Sequence, residues 1–222
     1  MVLKITVFLA IMAVAGTPNA HSEEDLDSVI DQVQSAYEKT TSFDAKFTQL
    51  AEVKSLGRKQ KAEGIAYIKK PGKMRWNYLS PEKQFIISNS SKIWFYFPED
   101  NQLMEEKVKD FFQSKSPLLF LTGKAKLREL FIIQFHRQPK KDTLSTDHLL
   151  EMTPRKQEAT YRKIILKVRK KDYQIVGVTV EDLLGNTTQI QFQDVNINSE
   201  IDNSLFEFDP PKGVELLSGP TG

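Results

Sequence analysis

The side chains that could support acid–base or metal chemistry in this sequence are few and poorly spaced for it. His21, His136 and His148 stand far apart, without the short spacing that lets one helix or turn present two imidazoles to a cation. The acidic doublets Glu105-Glu106 and Glu181-Asp182 are adjacent, and neighbours on a strand point to opposite faces, so neither makes a carboxylate pair. Cysteine is absent, which removes thiolate ligands, disulfides and a thiol nucleophile together. No G-x-S-x-G elbow, phosphate-binding glycine loop or H-E-x-x-H is found. The expectation is a protein that is not an enzyme and holds no cofactor and no metal.

Basic runs at Lys69-Lys70 and Arg169-Lys170-Lys171 raise the question of nucleic acid. Against it stands the balance of 31 Lys+Arg with 29 Asp+Glu, too even for a dedicated polyanion binder. Lysines at strand edges and turns, guarding against edge pairing, account for the runs. What is plentiful is apolar surface: 14 Phe, two Trp and six Tyr in a chain that is 40% hydrophobic.

The elements that must position this apolar inventory follow from periodicity. Residues 1–20 have the layout of a secretory signal peptide: Lys4, an apolar run from Ile5 to Ala15, then small residues with Ala15 or Ala20 as cleavage position. The run is too short to span a bilayer. Residues 21–222 are expected to form one monomeric domain. Leu26, Val29, Ile30, Val33 and Tyr37 share one helical face, predicting a helix over 22–41 with Ser22 and Asp25 as its capping box. Thereafter the period is two. Phe43, Ala45 and Phe47 alternate with polar neighbours, as do Met74, Trp76 and Tyr78. Gly64 to Ile68, Phe85 to Ile87 and Ile93 to Phe97 are further strands, with turns at Lys70-Pro71-Gly72 and Ser80-Pro81. From Gln102 to Leu130 alternation fades, and short helical pieces are expected. Ser116-Pro117 is a good helix start, and Leu118-Leu119-Phe120-Leu121 is apolar all round. Strands resume from Leu130, with tight connections at Lys170-Lys171-Asp172 and Leu184-Gly185-Asn186, and an extended tail follows Phe206.

About eleven antiparallel strands in meander order, each with one apolar face, either pack shut as a sandwich or curl around a guest. The all-apolar turn at 118–121 favours the second, since a lid over an open trough gives it cover on every side. The trough would be lined by Phe43, Ala45, Phe47, Ala66, Ile68, Met74, Trp76, Ile93 and Phe95, and covered by Pro117, Leu118, Leu119, Phe120 and Leu121. The phase of Ile93 and Phe95 against Trp94 and Tyr96 is the least determined, because both pairs are bulky and apolar.

Five segments, in order, resemble the periplasmic outer-membrane lipoprotein carriers of the LolA family. They are Ser42-Phe43-Asp44-Ala45-Lys46-Phe47-Thr48-Gln49, Gly64 to Ile68 continuing to Lys69-Lys70-Pro71-Gly72-Lys73-Met74-Arg75-Trp76, Ile93-Trp94-Phe95-Tyr96 before Pro98, Ser116-Pro117-Leu118-Leu119, and Leu205-Phe206-Glu207-Phe208 leading to Pro210-Pro211-Lys212-Gly213-Val214. The resemblance implies an incomplete, unclosed β-barrel with an N-terminal helix and a short helical lid, whose interior receives the acyl chains of lipoproteins. It implies a periplasmic location, loading by an inner-membrane ABC lipoprotein-releasing complex and unloading to an outer-membrane, lipid-anchored receptor. The receptor is anchored through a Cys, so the absence of Cys favours the carrier. Family members carry Arg where this chain has Lys70, and there the Arg binds lid backbone during opening and closing. The resemblance thus makes Lys70 the lid-latch candidate, with a point charge in place of a planar fork. A second reading is a lipoprotein-sensing regulatory module of the same fold. It would carry a further C-terminal domain, for which this length leaves no room.

Overall fold

The computed structural model describes residues 24–108, 126–137 and 147–217. Helix α1 spans Leu26–Lys39. Its cap is Asp25, whose carboxylate accepts from Ser28 N at 3.3 Å, so the helix starts later than the Ser22 box predicts. Asp25 has the extended backbone of a cap residue, and its side chain meets one of the four N–H groups that every helix start leaves open. Val29, Ile30, Val33 and Tyr37 form the buried stripe.

Among the described residues, twelve strands make one open sheet: β1 Ser42–Val53, β2 Arg58–Lys69, β3 Lys73–Ser80, β4 Gln84–Asn89, β5 Lys92–Phe97, β6 Gln102–Lys107, β7 Phe131–Phe135, β8 His148–Pro154, β9 Lys163–Val168, β10 Ile175–Glu181, β11 Thr187–Ile197 and β12 Glu215–Leu217. A short helix, α2, covers Leu127–Leu130, and a 3-10 turn covers Asn203–Phe206. The spatial order is β12-β6-β5-β4-β3-β2-β1-β11-β10-β9-β8-β7. Two meanders are therefore sewn together along β1 and β11, where Phe47 faces Phe192 and Gln49 faces Ile190. The fold is mainly β, an unclosed barrel as expected, with two differences. Residues 102–107 are a strand instead of helical pieces: only Leu103 is fully buried there, and the adjacent Glu105 and Glu106 hide the period at the sheet's margin. The twelfth strand is three residues of the tail, paired parallel with β6.

Each face of the sheet has its own cover. On the inner face α1 lies over β7–β10, where Val29, Val33 and Tyr37 meet Leu150, Met152, Ile164 and Leu166. Across β1–β5 the inner face carries a second cluster built on Phe47, Met74, Trp76 and Ile93. On the outer face Ile87, Trp94 and Leu103 are buried beneath Phe208 and Val214 of the tail. Arg75 fastens this strap by donating to Leu205 O at 3.0 Å, and Lys69 by donating to Ile201 O at 2.7 Å.

Candidate functional site

Cross-strand partners share a face, so the register lays out the inner wall row by row. One row runs Phe43, Ile68, Met74, Ser88, Ile93. The next runs Ala45, Ala66, Trp76, Ile86, Phe95, and a third Phe47, Gly64, Tyr78. All nine residues expected to line the trough therefore lie on the inner face. Phe47, Ala45, Ala66, Ile68, Met74, Trp76 and Ile93 are buried, and Phe43 and Phe95 are partly so. The phase of β5 is settled by the tail: Trp94 and Tyr96 face outward against Phe208, with ring centroids 6.0 and 5.3 Å away. Ile93 and Phe95 are left to the inner side.

Small residues opposite large ones shape the wall. Gly64 lets the Phe47 ring lie over β2, and Phe47 in turn meets the edges of Trp76 and Tyr78 at 5.0 Å each. Tyr78 OH donates to Gln49 Oε1 at 2.9 Å, and burial pushes its phenol pKa up to about 12. Trp76 has no comparable partner: its Nε1–H is buried without an acceptor among the described residues.

Between the two inner clusters a cavity of about 140 Å³ remains open. Phe43, Trp76 and Lys70 line it, as sequence reasoning expects of the first two, together with Tyr37, Ile164, Leu166, Tyr173, Val178, Ile190 and Phe192. The contribution of β9–β11 was not singled out by that reasoning, although Ile190 and Phe192 alternate with glutamines in β11 and so announce one apolar face.

Helix α1 is clamped across this cavity at both ends. At its C-terminus Thr40 Oγ1 donates to Ala36 O at 2.8 Å, and Lys70 Nζ donates to Tyr37 O while lying 4.3 Å from the centroid of the Tyr37 ring. The Ala36 carbonyl also accepts Thr40 N at 3.2 Å, whereas the Tyr37 carbonyl is among those a helix end leaves without a backbone partner, and a cation there suits the helix dipole. Burial holds the Lys70 ammonium below the usual lysine range, opposed by the nearby Glu38 carboxylate. Just before the N-terminus, Glu24 accepts from Tyr173 OH and lies 2.9 Å from His148 Nε2. The Tyr173 hydroxyl, working against desolvation and helped by His148, holds the Glu24 carboxyl below its ordinary value. His136 is likewise engaged, at 2.8 Å from Glu151. The expected lid, Pro117 to Leu121, and the leader at 1–20 lie outside the described residues, as does His21. Among the described residues no group of three or more His, Asp or Glu is placed to hold a metal ion, and no helix is long and apolar enough to cross a membrane.

What this apolar wall belongs to is indicated by comparison with known proteins. Residues 38–209 match the model of the family described as outer membrane lipoprotein carrier protein LolA. Outer-membrane lipoprotein carrier proteins are 30% identical over 216 residues in Pseudomonas aeruginosa, covering 96% of this chain and 97% of that one. In Neisseria meningitidis the identity is 31% over 174 residues, 78% of each chain. Among solved structures, a conserved protein from Thermus thermophilus shares the fold at 13% identity, with a TM-score of 0.52 over 87% of this chain and 98% of that one.

Proposed function

This chain belongs to the outer membrane lipoprotein carrier family LolA, and from that premise we propose that it binds the acyl chains of lipoproteins in the inner trough and delivers them to the outer membrane. The observation that carries this is the cavity at the β1–β11 seam, apolar on nearly every side and bordered at one end by the last turn of α1, where Tyr37 and Lys70 meet. Phe43 and Trp76 line it on one side and β9–β11 on the other; Ala45, Phe47, Ala66, Ile68, Met74, Ile93 and Phe95, packed behind them on the same inner face, are proposed to border the guest as the trough widens. The relatives matched over most of their length bear the carrier name, so the sensor reading is set aside.

Magnitudes favour a trough that widens. A void near 140 Å³ takes roughly one benzene-sized group, far less than a long acyl chain. Each buried CH₂ contributes ~0.8 kcal/mol, so a chain of a dozen carbons gains roughly 10 kcal/mol when enclosed. Full enclosure of several chains would leave a carrier unable to release them. Opening must therefore cost something, and the breakable elements are the polar clamps on α1, with Lys70 as latch and residues 117–121 as lid. The same reading places the protein in the periplasm after loss of residues 1–20. An inner-membrane ABC releasing complex loads it, and a lipid-anchored receptor unloads it.

The test is mass spectrometry of the protein purified gently from the periplasm, together with release of lipoprotein from spheroplasts. Bound acylated polypeptide is expected, and Phe47→Glu or Leu119→Glu should abolish release. Normal release by a folded Phe47→Glu protein would overturn the trough assignment.

A further inference from the structure

Among the described residues, the trough wall contains a buried polar side-chain atom that the fold does not use. Trp76 is 3% exposed, lines the cavity, and presents a buried Nε1–H that meets no acceptor among the described residues. The other indole is treated differently: Trp94 Nε1 donates to Glu105 Oε2 at 2.8 Å. Three other polar side chains at the same cavity are engaged, Lys70 with Tyr37 O, Thr40 with Ala36 O and Tyr173 with Glu24, and Gln174 also borders it. A buried donor without a partner is costly, and native folds keep few of them. Trp76 stands in the row of Ala45 and Ala66, whose short side chains crowd it little, with Phe47 and Phe192 rings 5.0 and 6.1 Å away. Neither a phenyl ring edge nor a methylene chain offers that N–H a carbonyl-like acceptor.

Resting on the acyl-carrier reading, we infer that Trp76 Nε1–H is the donor for the carbonyl oxygen at the head of the bound acyl group, so that the site selects long-chain acyl esters and amides over plain alkanes. The apolar wall attracts any hydrocarbon in proportion to its area, whereas a buried donor discriminates, because a guest without an acceptor leaves it unpaired. The carbonyl also fixes how deep the chain sits: its head stops at Trp76, and the methylenes occupy the remainder of the trough.

Nitrogen-15 NMR of the intact protein reads this directly, since it has only two indoles and Trp76→Phe identifies their signals. Methyl palmitate and N-methylpalmitamide should each move the Trp76 indole proton downfield relative to heptadecane, while the Trp94 signal stays in place. In competition with a fluorescent fatty acid, Trp76→Phe should lower the ester-over-alkane preference by about threefold to tenfold, the value of one hydrogen bond. An equal response to ester and alkane, or an unchanged preference in the variant, overturns the inference and leaves the carrier reading standing. Failure of all three ligands to displace the probe from the unaltered protein defeats the carrier reading, and this one with it.

Discussion

Gly64→Ala offers the sharpest test of how the inner wall is built. A methyl at Gly64 would stand 2.1 Å from the backbone oxygen of Asn77 and 2.7 and 2.8 Å from two carbons of the Phe47 ring. The ring can tilt, but the Asn77 oxygen is main chain on β3, opposite a register shift between Glu63 and Gly64. To restore ordinary contact β3 must retreat by about 1 Å, in an interior packed too closely to absorb it. Overpacking together with one or two weakened ladder hydrogen bonds gives a loss of about 3 kcal/mol. For a domain of this size that lowers the thermal midpoint by roughly 6–12 °C. Thermal unfolding followed by circular dichroism is the assay. Phe47→Leu in the same chain should recover only part of the loss, because it relieves the ring but not the carbonyl. A midpoint within about 2 °C of the parent would refute the close approach of β2 and β3 and the wall derived from it.

Three further outcomes follow from the clamps and the strap. Lys70→Met should expose the last turn of α1, raising amide exchange at 36–39 about tenfold through loss of a charged donor at Tyr37 O, while Lys70→Arg preserves protection; equal exchange in all three proteins would deny the clamp. Arg75→Met removes the donor to Leu205 O and Asn77 Oδ1, so the tail should loosen by about 1–3 kcal/mol and limited proteolysis should cut within 198–217; an unchanged cleavage pattern would count against the strap. Tyr173→Phe tests Glu24, whose folded pKa is depressed below 4.5 chiefly by the Tyr173 hydroxyl. A depressed carboxyl stabilises fully above its unfolded value and loses that contribution as pH falls through the folded one. The stability gap between parent and variant, measured by denaturant titration, should therefore be widest at neutral pH and close below about pH 4.5; a gap independent of pH would refute the linkage.

The inner face of β1 and β3 was legible because its aromatics alternate strictly with polar residues: Phe43 and Phe47 with Asp44 and Lys46, Met74 and Trp76 with Arg75 and Asn77. That of β9–β11 was not, because Ile164, Leu166 and Val178 look like any core residue. Whether such side chains fill a space or border one depends on how far α1 stands off the sheet, which no local pattern records. The phase of β5 was undecidable locally, since bulky residues occupy both faces; the tail, more than a hundred residues later, supplies the second apolar layer. Strand β6 was missed for the opposite reason, with too few apolar residues to show a period. The unpaired Trp76 N–H has no sequence signature at all, since it is defined by what its neighbours lack.

The seam joining Phe47 to Phe192 also dictates when the cavity beside it can exist. A polypeptide emerging amino end first has released most of its strands before the eleventh arrives to meet the first. Closing so large a loop is slow, and contacts that distant in sequence come together late. Neither meander encloses anything by itself. A half-finished molecule therefore lacks this hollow, which arrives only once residues 187–197 are in place.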